Sequence, residues 1–336
     1  MITQSDLEKY DPSGMYKIYD QWPEIAKNAY ESNYDEMKFD GITHIVFAGV
    51  GGSGAIGDLF SSILSKGRIH VSLVKGYLLP KTISKNTLVI VTSVSGNSAE
   101  TLTVLESASR LDCSLIAFSS GGKMETFCKK NKINYRKIDL IHSPRTSLIK
   151  YVYSILKILN PILPITHTEI TESINELANI RDKINSHNLS DSNYSLELAR
   201  WISAIPIIYY PHGLQSVAIR FKSSLQENAK SHAMIEDIIE ACHNGMVAWE
   251  KTSSVQPILV RGKDDYIKTK ERWEIIKDYF LRNKIDFKEV YSINGNILSK
   301  IIVLTYLLDY SSIYNAVINK IDPTPVTPID FIKSKL

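Results

Sequence analysis

The sequence predicts an α/β protein with two parallel sheets, each flanked by helices in a three-layer sandwich. Short apolar runs typical of β-strands alternate with helical stretches in one series from Ile42 to residue 138 and in another from residue 205 to residue 318. Strands that alternate with helices are joined by crossovers, so neighbouring strands are expected to be parallel and covered on both faces. A chain of 336 residues is also long enough for two units, each with its own core.

The first series contains five predicted strands. A polar, interrupted segment, residues 1–41, precedes it, and short helices are expected there at 15–19 and 23–30. The strands are predicted at 43–49, 70–76, 87–93, 114–119 and 133–138, with helices near 54–65, 98–111 and 122–131.

The second series follows a long, mostly amphipathic helical segment, residues 144–200, which Pro161 and Pro164 interrupt. We therefore divide the chain into residues 1–150, the N-terminal segment with the first subdomain, and residues 151–336, the second subdomain with a C-terminal tail. Three prolines near the end predict an extended segment before a short terminal helix. Strands are predicted at 205–210, 256–261 and 287–292, and helices at 214–230, 267–283 and 296–318.

Composition narrows the class of protein. Apolar residues make up 44% and charged residues 22% of the chain, which is ordinary for a globular protein. The net charge of +3 includes no dense basic block, so no nucleic-acid partner is expected. Cys113, Cys128 and Cys242 lack metal or redox spacing, which fits a reducing cytoplasm. No apolar run reaches the roughly 18 residues of a membrane span, so we expect a cytoplasmic protein without a membrane partner.

Two glycine- and serine-rich turns stand where a predicted strand runs into a predicted helix. Residues 49–54, GVGGSG, follow the apolar run 45–48, and residues 93–98, SVSGNS, follow the run 88–91. Glycines let the backbone turn tightly, so that main-chain N–H groups and a helix N-terminus converge on an anion. Serine hydroxyls add short donors that suit phosphate oxygens. Two such turns from one sheet predict a sugar-phosphate pocket.

The first turn also fits the dinucleotide pattern G-x-G-x-x-G through Gly49, Gly51 and Gly54. An NAD site needs an Asp or Glu about 20 residues further on, at the tip of the second strand, to hold a ribose hydroxyl. That tip, residues 71–77, reads VSLVKGY and has no carboxylate. Lys75 could meet the 2′-phosphate of NADP, which leaves that alternative open. We favour a phosphosugar and expect no cofactor.

The serine-rich turn is more specific than the glycine-rich one. A helix capped by Ser98, with Glu100 or Thr101 in its first turn, would explain these residues structurally. The string Ser-x-Ser-Gly-Asn-Ser-x-Glu-Thr after a buried strand also resembles the phosphosugar-binding signature of the sugar isomerase (SIS) domain. The two interpretations are compatible, because a capped helix N-terminus is also an anion site.

Further strings, in order along the chain, extend the resemblance from about Pro12 to the C-terminus. The sequence is similar to the archaeal-type bifunctional phosphoglucose/phosphomannose isomerase family of the SIS superfamily, which implies two SIS-type subdomains. It departs from the family pattern at Val94, Ser98 and Gly245, where the family has Tyr, Thr and Glu, and the last change removes an acidic neighbour of His243. The supporting strings are GVGGS and AIGD within 49–58, SVSGNS at 93–98, SPR at 143–145, QENAK at 226–230, HN at 243–244 and DPTPV at 322–326.

The resemblance implies an aldose–ketose isomerase that needs neither metal nor redox cofactor. Glu227 would be the base that moves a proton between C-1 and C-2, and His243 would open the sugar ring. Arg145 would hold positive charge near the enediolate oxygen. Lys333, with Lys335 as the competing choice, would assist ring opening from a tail that returns to the active site.

The resemblance also implies how the substrate is held. Thr324 would be the small residue that leaves room for either configuration at C-2, so that glucose 6-phosphate and mannose 6-phosphate are both accepted. The phosphate would be gripped by Gly51, Gly52, Ser53, Ser93, Ser95 and Ser98.

In related isomerases the histidine crosses from the partner subunit, which implies a homodimer with shared active sites. Two alternatives remain open: another SIS isomerase, acting on an amino or pentulose sugar phosphate, and a non-catalytic sugar-phosphate sensor. Glu227, His243 and the lack of a basic helix-turn-helix segment argue against a sensor, whereas the departure at Gly245 keeps it open.

Overall fold

The computed structural model describes residues 2–335 and divides into two compact units. The first unit comprises Gln21–His167 and the C-terminal residues from Ile329. The second unit comprises the N-terminal residues up to Asp20 and Thr168–Pro328. The division at residue 150 into a first and a second subdomain stays a prediction. The chain passes between the compact units near residues 20, 167 and 328.

The first unit is built on a five-stranded sheet with the order β2-β1-β3-β4-β5, in which every neighbouring pair is parallel. All five strands were predicted. Every residue of β1 and β3 is buried, which explains their unbroken apolar runs. The strands are β1 (His44–Ala48), β2 (His70–Val74), β3 (Thr87–Ser93), β4 (Ser114–Ser119) and β5 (Asn134–Lys137).

Helices cover both faces of this sheet. Alternate strand residues such as Val46 and Val89 pack with Val104 and Met124 of the helices on one face. On the other face, the ring of Phe47 stacks on that of Phe60 with centroids 5.1 Å apart. The three-layer arrangement predicted for this series is therefore confirmed. The helices are α3 (Trp22–Tyr30), α4 (Gly52–Leu64), α5 (Ala99–Ala108), α6 (Gly122–Asn131) and α7 (Leu148–Ile158).

The second unit has a four-stranded parallel sheet with the order β7-β6-β8-β9. The sequence analysis missed β7, an edge strand of four residues, Met-Ile-Glu-Asp, none of which is buried. No apolar run marks this strand in the sequence. Residues 234–237 become a strand because they pair with β6. The strands are β6 (Ile205–Tyr210), β7 (Met234–Asp237), β8 (Val255–Arg261) and β9 (Lys288–Tyr291).

The remaining helices include two that were not predicted from the sequence, one at the N-terminus and the four-residue helix 238–241. The N-terminal helix is held by a capping box in which Thr3 Oγ1 accepts from the Asp6 amide at 3.2 Å and Asp6 Oδ2 accepts from the Thr3 amide at 2.8 Å. The helices are α1 (Gln4–Tyr10), α2 (Met15–Asp20), α8 (His167–Ile184), α9 (Tyr194–Trp201), α10 (Gln215–Asn228), α11 (Ile238–Ala241), α12 (Ile267–Arg282), α13 (Ile297–Ile318) and α14 (Thr327–Lys333).

Helix α13 is the central helix of the second unit. It has 22 residues, and its most apolar window of 18 residues has a mean hydropathy of 1.5, so by length and composition alone it could cross a membrane. Instead, 94% of its most apolar window is buried inside the protein. A helix that is apolar all round is typical of a core that is covered from several sides.

Candidate active site

The two predicted phosphate turns lie side by side at the carboxyl ends of β1 and β3. These strands are direct neighbours in the sheet. The hydroxyl of Ser53, in the first turn of α4, accepts a hydrogen bond from the Val94 amide at 3.0 Å. Gly51 caps α4 with a φ of 55°, and nothing lies within 4 Å of the position that a Cβ would take there. The first turn therefore has free space beside Gly51, and it is hydrogen-bonded to the second turn through Ser53.

The second turn presents hydroxyls that are not used to cap the following helix. Ser98 is at the N-cap of α5, but its side chain makes no cap hydrogen bond. Instead, Ser93 Oγ donates to Ser98 Oγ at 3.3 Å. Ser95 is exposed, and its hydroxyl accepts from the Asn97 amide at 3.3 Å. The structural explanation by capping is therefore wrong for the side chain of Ser98, although its position at the helix start was predicted correctly.

A third glycine turn, which the sequence analysis did not single out, supports the second. Gly96 has a φ of 70°, and a Cβ there would collide with the carbonyl oxygen of Gly121. Asn97 Oδ1 accepts from the Lys123 amide at 3.0 Å and so caps α6. The sequence signal was present, since a Gly-Gly pair follows the apolar strand β4. These contacts fix the backbone of the serine-rich turn.

Arg145 lies beside the first turn. A Cβ at Gly52 would be 3.2 Å from the carbonyl oxygen of Pro144 and 3.4 Å from the amide nitrogen of Arg145, so the two backbones approach closely. Arg145 is only 4% exposed. Thr146 Oγ1 accepts from the Ser143 amide at 3.1 Å and so helps to fix this loop. The structure thus places the backbone of Arg145, a buried residue, against the first of the predicted phosphate turns.

The alternative of an NADP site depended on Lys75, and the structure shows that this lysine forms an ion pair within the protein. Lys75 Nζ donates to Asp58 Oδ2 at 2.6 Å, and the carboxylate of Asp58 is only 4% exposed. Lys75 is thereby paired with a carboxylate of helix α4. The sequence interpretation of Lys75 as a partner for a 2′-phosphate did not foresee this ion pair.

Glu227 and Thr324, both in the second unit, are brought together through a lysine. Glu227 is half-buried in the last turn of α10. The Lys230 ammonium donates to the carbonyl oxygens of Glu227 at 2.6 Å, Pro325 at 2.8 Å and Pro323 at 3.2 Å. The two prolines flank Thr324, so one side chain joins the segment around the predicted base to the segment around the predicted specificity residue.

A buried polar network holds α10 against α13. Arg220 Nη2 donates to Asp309 Oδ2 at 2.7 Å, with exposures of 3% and 0% for the two side chains. Ser224 donates to Asp309 Oδ1 at 2.6 Å. Burial lowers the pKa of Arg220, but the charge and hydrogen bonds of Asp309, together with the charges of Tyr19 and Glu227, raise that pKa above its ordinary value. Since Arg220, Ser224 and Glu227 are four and three residues apart, they share one face of α10, and the network fixes the helix that carries Glu227.

His243 lies in an exposed turn after α11. Its amide donates to the Glu240 carbonyl at 2.9 Å, and Asn244 Nδ2 donates to Glu240 Oε1 at 2.9 Å. A Cβ at Gly245 would collide with the carboxylate of Glu236, which projects from β7. Burial and the charge of Glu240 raise the pKa of Glu236. An acidic side chain from another element therefore stands beside the position where the family pattern has Glu.

The two C-terminal lysines remain undistinguished. Lys333 is the last residue of α14 and is exposed. Lys335 is also exposed, with Nζ 5.8 Å from the ring centre of Phe331. The choice between them stays a prediction. Within residues 2–335 there is no group of three or more His, Cys, Asp or Glu side chains that could hold a metal ion.

The parallel sheets with their paired phosphate turns define an SIS-type α/β protein, and comparisons with known proteins agree. Residues 191–336 match the bacterial phospho-glucose isomerase C-terminal SIS domain. The fold of a glucose-6-phosphate isomerase crystal structure from Chlamydia trachomatis is also similar, with a TM-score of 0.70 at 11% identity over 95% of this chain and 72% of that one.

Curated relatives define the family. A bifunctional phosphoglucose/phosphomannose isomerase of Caldicellulosiruptor bescii is 31% identical over 96% of this chain and 98% of the relative. One of Thermoplasma acidophilum is 29% identical over 90% and 94%, respectively. The chain belongs to the bifunctional phosphoglucose/phosphomannose isomerase family, and the resemblance seen in the sequence is confirmed.

Proposed function

We propose that this protein interconverts fructose 6-phosphate with glucose 6-phosphate and mannose 6-phosphate by proton transfer through an enediolate. The observation that carries the proposal is the pair of phosphate turns joined by the bond from the Val94 amide to Ser53, with buried Arg145 beside them. Membership of the isomerase family supports the same substrate class.

The phosphate is the fixed point of the proposed reaction. It is bound at the N-terminus of α4 by Gly51, Gly52 and Ser53. At the N-terminus of α5 it is bound by the hydroxyls of Ser93, Ser95 and Ser98. The phosphate does not react, so its binding free energy serves to position C-1 and C-2. Arg145, whose backbone lies against Gly52, then provides positive charge for the enediolate oxygen.

Glu227 is the proposed base. It takes the proton from C-2 of the open-chain aldose, and the electron pair of that C–H bond forms the enediolate with negative charge on O-1. A proton then moves from O-2 to O-1, the electron pair left on O-2 forms the ketone carbonyl, and Glu227 returns its proton to C-1 to give the ketose. His243 and Lys333 exchange protons with the ring oxygen and the anomeric hydroxyl when the ring opens. Thr324 leaves room for either configuration at C-2.

The assembly and location proposed with this activity follow from the family resemblance. The working form is a cytoplasmic homodimer in which His243 completes the site of the neighbouring subunit. The reaction causes no net oxidation or reduction, so the proposal needs no redox cofactor, and it includes no metal, nucleic acid or membrane.

One coupled assay tests the proposal. Purified protein is given fructose 6-phosphate with a chelator present, and glucose 6-phosphate and mannose 6-phosphate are each measured by a coupling enzyme specific for one aldose. We expect both products, at rates that the chelator does not change. Binding of fructose 6-phosphate without either product would favour the sensor, and turnover of an amino or pentulose sugar phosphate alone would favour another isomerase.

A further inference from the structure

The ammonium group of Lys230 has an unusual set of partners. It donates to three backbone carbonyls, one at the end of α10 and two in the segment 322–326. An ammonium has three N–H donors, so it can donate to three carbonyls at once. Lys230 itself has a φ of 55°, in the left-handed region that a lysine rarely adopts. The chain thus accepts backbone strain at the residue whose side chain makes these contacts.

The three carbonyls belong to two segments with different proposed roles. The carbonyl of Glu227 lies in the last turn of α10, where exposed carbonyls favour a nearby cation. The carbonyls of Pro323 and Pro325 flank Thr324 on both sides, 93 and 95 residues after Lys230. The Thr324 amide also donates to Asp322 Oδ1 at 2.8 Å, which folds the segment into a compact turn. The hydrogen bonds of Lys230 therefore connect the backbone of Glu227, the proposed base, directly to the backbone on both sides of Thr324.

These hydrogen bonds affect the geometry of the proposed reaction. Glucose 6-phosphate and mannose 6-phosphate differ only in the configuration at C-2, the carbon whose proton Glu227 is proposed to remove. A base and a neighbouring pocket wall that keep a constant separation can serve both epimers in the same way. Since proton transfer is sensitive to displacements of about 1 Å, loosening one segment should change the rate, and should change it differently for the two epimers.

From these contacts we infer that Lys230 is a positioning residue that holds the Thr324 segment in register with Glu227 and so sets the preference between the two C-2 epimers. This inference rests on the proposed function. It adds a residue that acts through two others and does not itself meet the reacting atoms.

Three variants test it. Lys230→Met keeps the length of the side chain but removes all three donors, and Lys230→Arg keeps a cation with several donors. Lys320→Met is the matched control, because Lys320 is also an exposed lysine at a positive φ, 60°, after a helix of the second unit. Each protein is assayed separately on glucose 6-phosphate and mannose 6-phosphate for kcat and KM, and its folding is checked by circular dichroism and thermal melting.

We expect Lys230→Met to lower kcat by about ten- to a hundredfold and to change the ratio of kcat/KM for the two epimers by at least about threefold. Lys230→Arg should recover much of both losses, and Lys320→Met should match the wild type. If Lys230→Met does not fold, Lys230→Gln is judged by the same criteria.

A folded Lys230→Met protein with unchanged kcat would overturn the inference. An equal loss of kcat/KM on both epimers would also overturn the inference, because such a general loss does not require that Lys230 positions the Thr324 segment. The wild-type measurement separates this failure from that of the proposed function: a wild type that makes neither product overturns both, whereas an active wild type beside an unaffected variant overturns the inference alone.

Discussion

At the scale of single residues, the phosphate turns depend on hydroxyls placed by the backbone. Ser93 ends β3 and is buried, whereas Ser95 is exposed and its hydroxyl accepts a local hydrogen bond from the Asn97 amide. Gly96, which packs against Gly121, keeps the intervening turn tight. The backbone that presents the two serines is therefore held by the packing of Gly96 as well as by the bond from the Asn97 amide to the Ser95 hydroxyl.

Changing Ser93 and Ser95 together to Ala should weaken binding of substrate and of inorganic phosphate by roughly two decades or more, because a hydrogen bond to a charged group contributes about 1.5–3 kcal/mol. Calorimetric titration of both ligands measures the loss. Ser109→Ala, which removes an exposed hydroxyl at the other end of α5, is the control and should leave both affinities unchanged. An unaltered affinity in the double variant would place the phosphate elsewhere.

The sequence was a good guide to which residues form the turns and a poor guide to what surrounds them. Glycine and serine spacing reports local backbone geometry, so the turns at 49–54 and 93–98 were predicted correctly. The place of Glu236 beside Gly245 depends on the pairing of β7 with β6. The partners of Lys230 depend on a contact across more than 90 residues. Tertiary contacts of this kind leave no local pattern.

At the scale of elements, long and strongly apolar segments were predicted well, and the elements that were missed, such as α1 and β7, are short. Helix α13 and the strands β1 and β3 bury enough apolar surface to be visible in the sequence. The capping box of α1 was visible as Thr3 and Asp6 but was not used. The N-terminal helices nevertheless have a clear role, because Tyr306 of α13 donates to the Tyr19 carbonyl at 2.6 Å.

The packing of α10 against α13 gives a prediction for stability. Asp309→Leu leaves the buried guanidinium of Arg220 without its counter-ion and should lower the free energy of unfolding by about 3–5 kcal/mol. Urea denaturation followed by tryptophan fluorescence measures the change. The double change Arg220→Met with Asp309→Leu should recover most of the loss, since no buried charge remains. A double variant as unstable as Asp309→Leu would show that the network matters for more than charge balance.

At the scale of the whole molecule, each active site of the proposed homodimer contains Glu227 from one chain and His243 from the other. Mixing the inactive variants Glu227→Gln and His243→Ala should then regenerate activity, because a heterodimer has one site with both changes and one with neither. At equal mixing, half of the dimers are hybrids, so roughly a quarter of wild-type activity should return in a symmetric dimer with independent sites. Co-expression with two different tags allows the heterodimer to be isolated and assayed.

Isolated heterodimers that stay inactive would place His243 in the site of its own chain. A fully active His243→Ala protein would contradict the role of the histidine altogether, and Lys333 would then be the first residue to test for ring opening.

The central claim is that Glu227 moves the proton between C-1 and C-2, and the variant Glu227→Gln tests it most directly. The amide keeps the shape of the side chain and removes its basicity. Turnover of fructose 6-phosphate should therefore fall by about 10²–10⁴-fold, while its dissociation constant stays within about threefold of the wild-type value. A Gln variant that still forms glucose 6-phosphate and mannose 6-phosphate at a rate near that of the wild type would contradict the account.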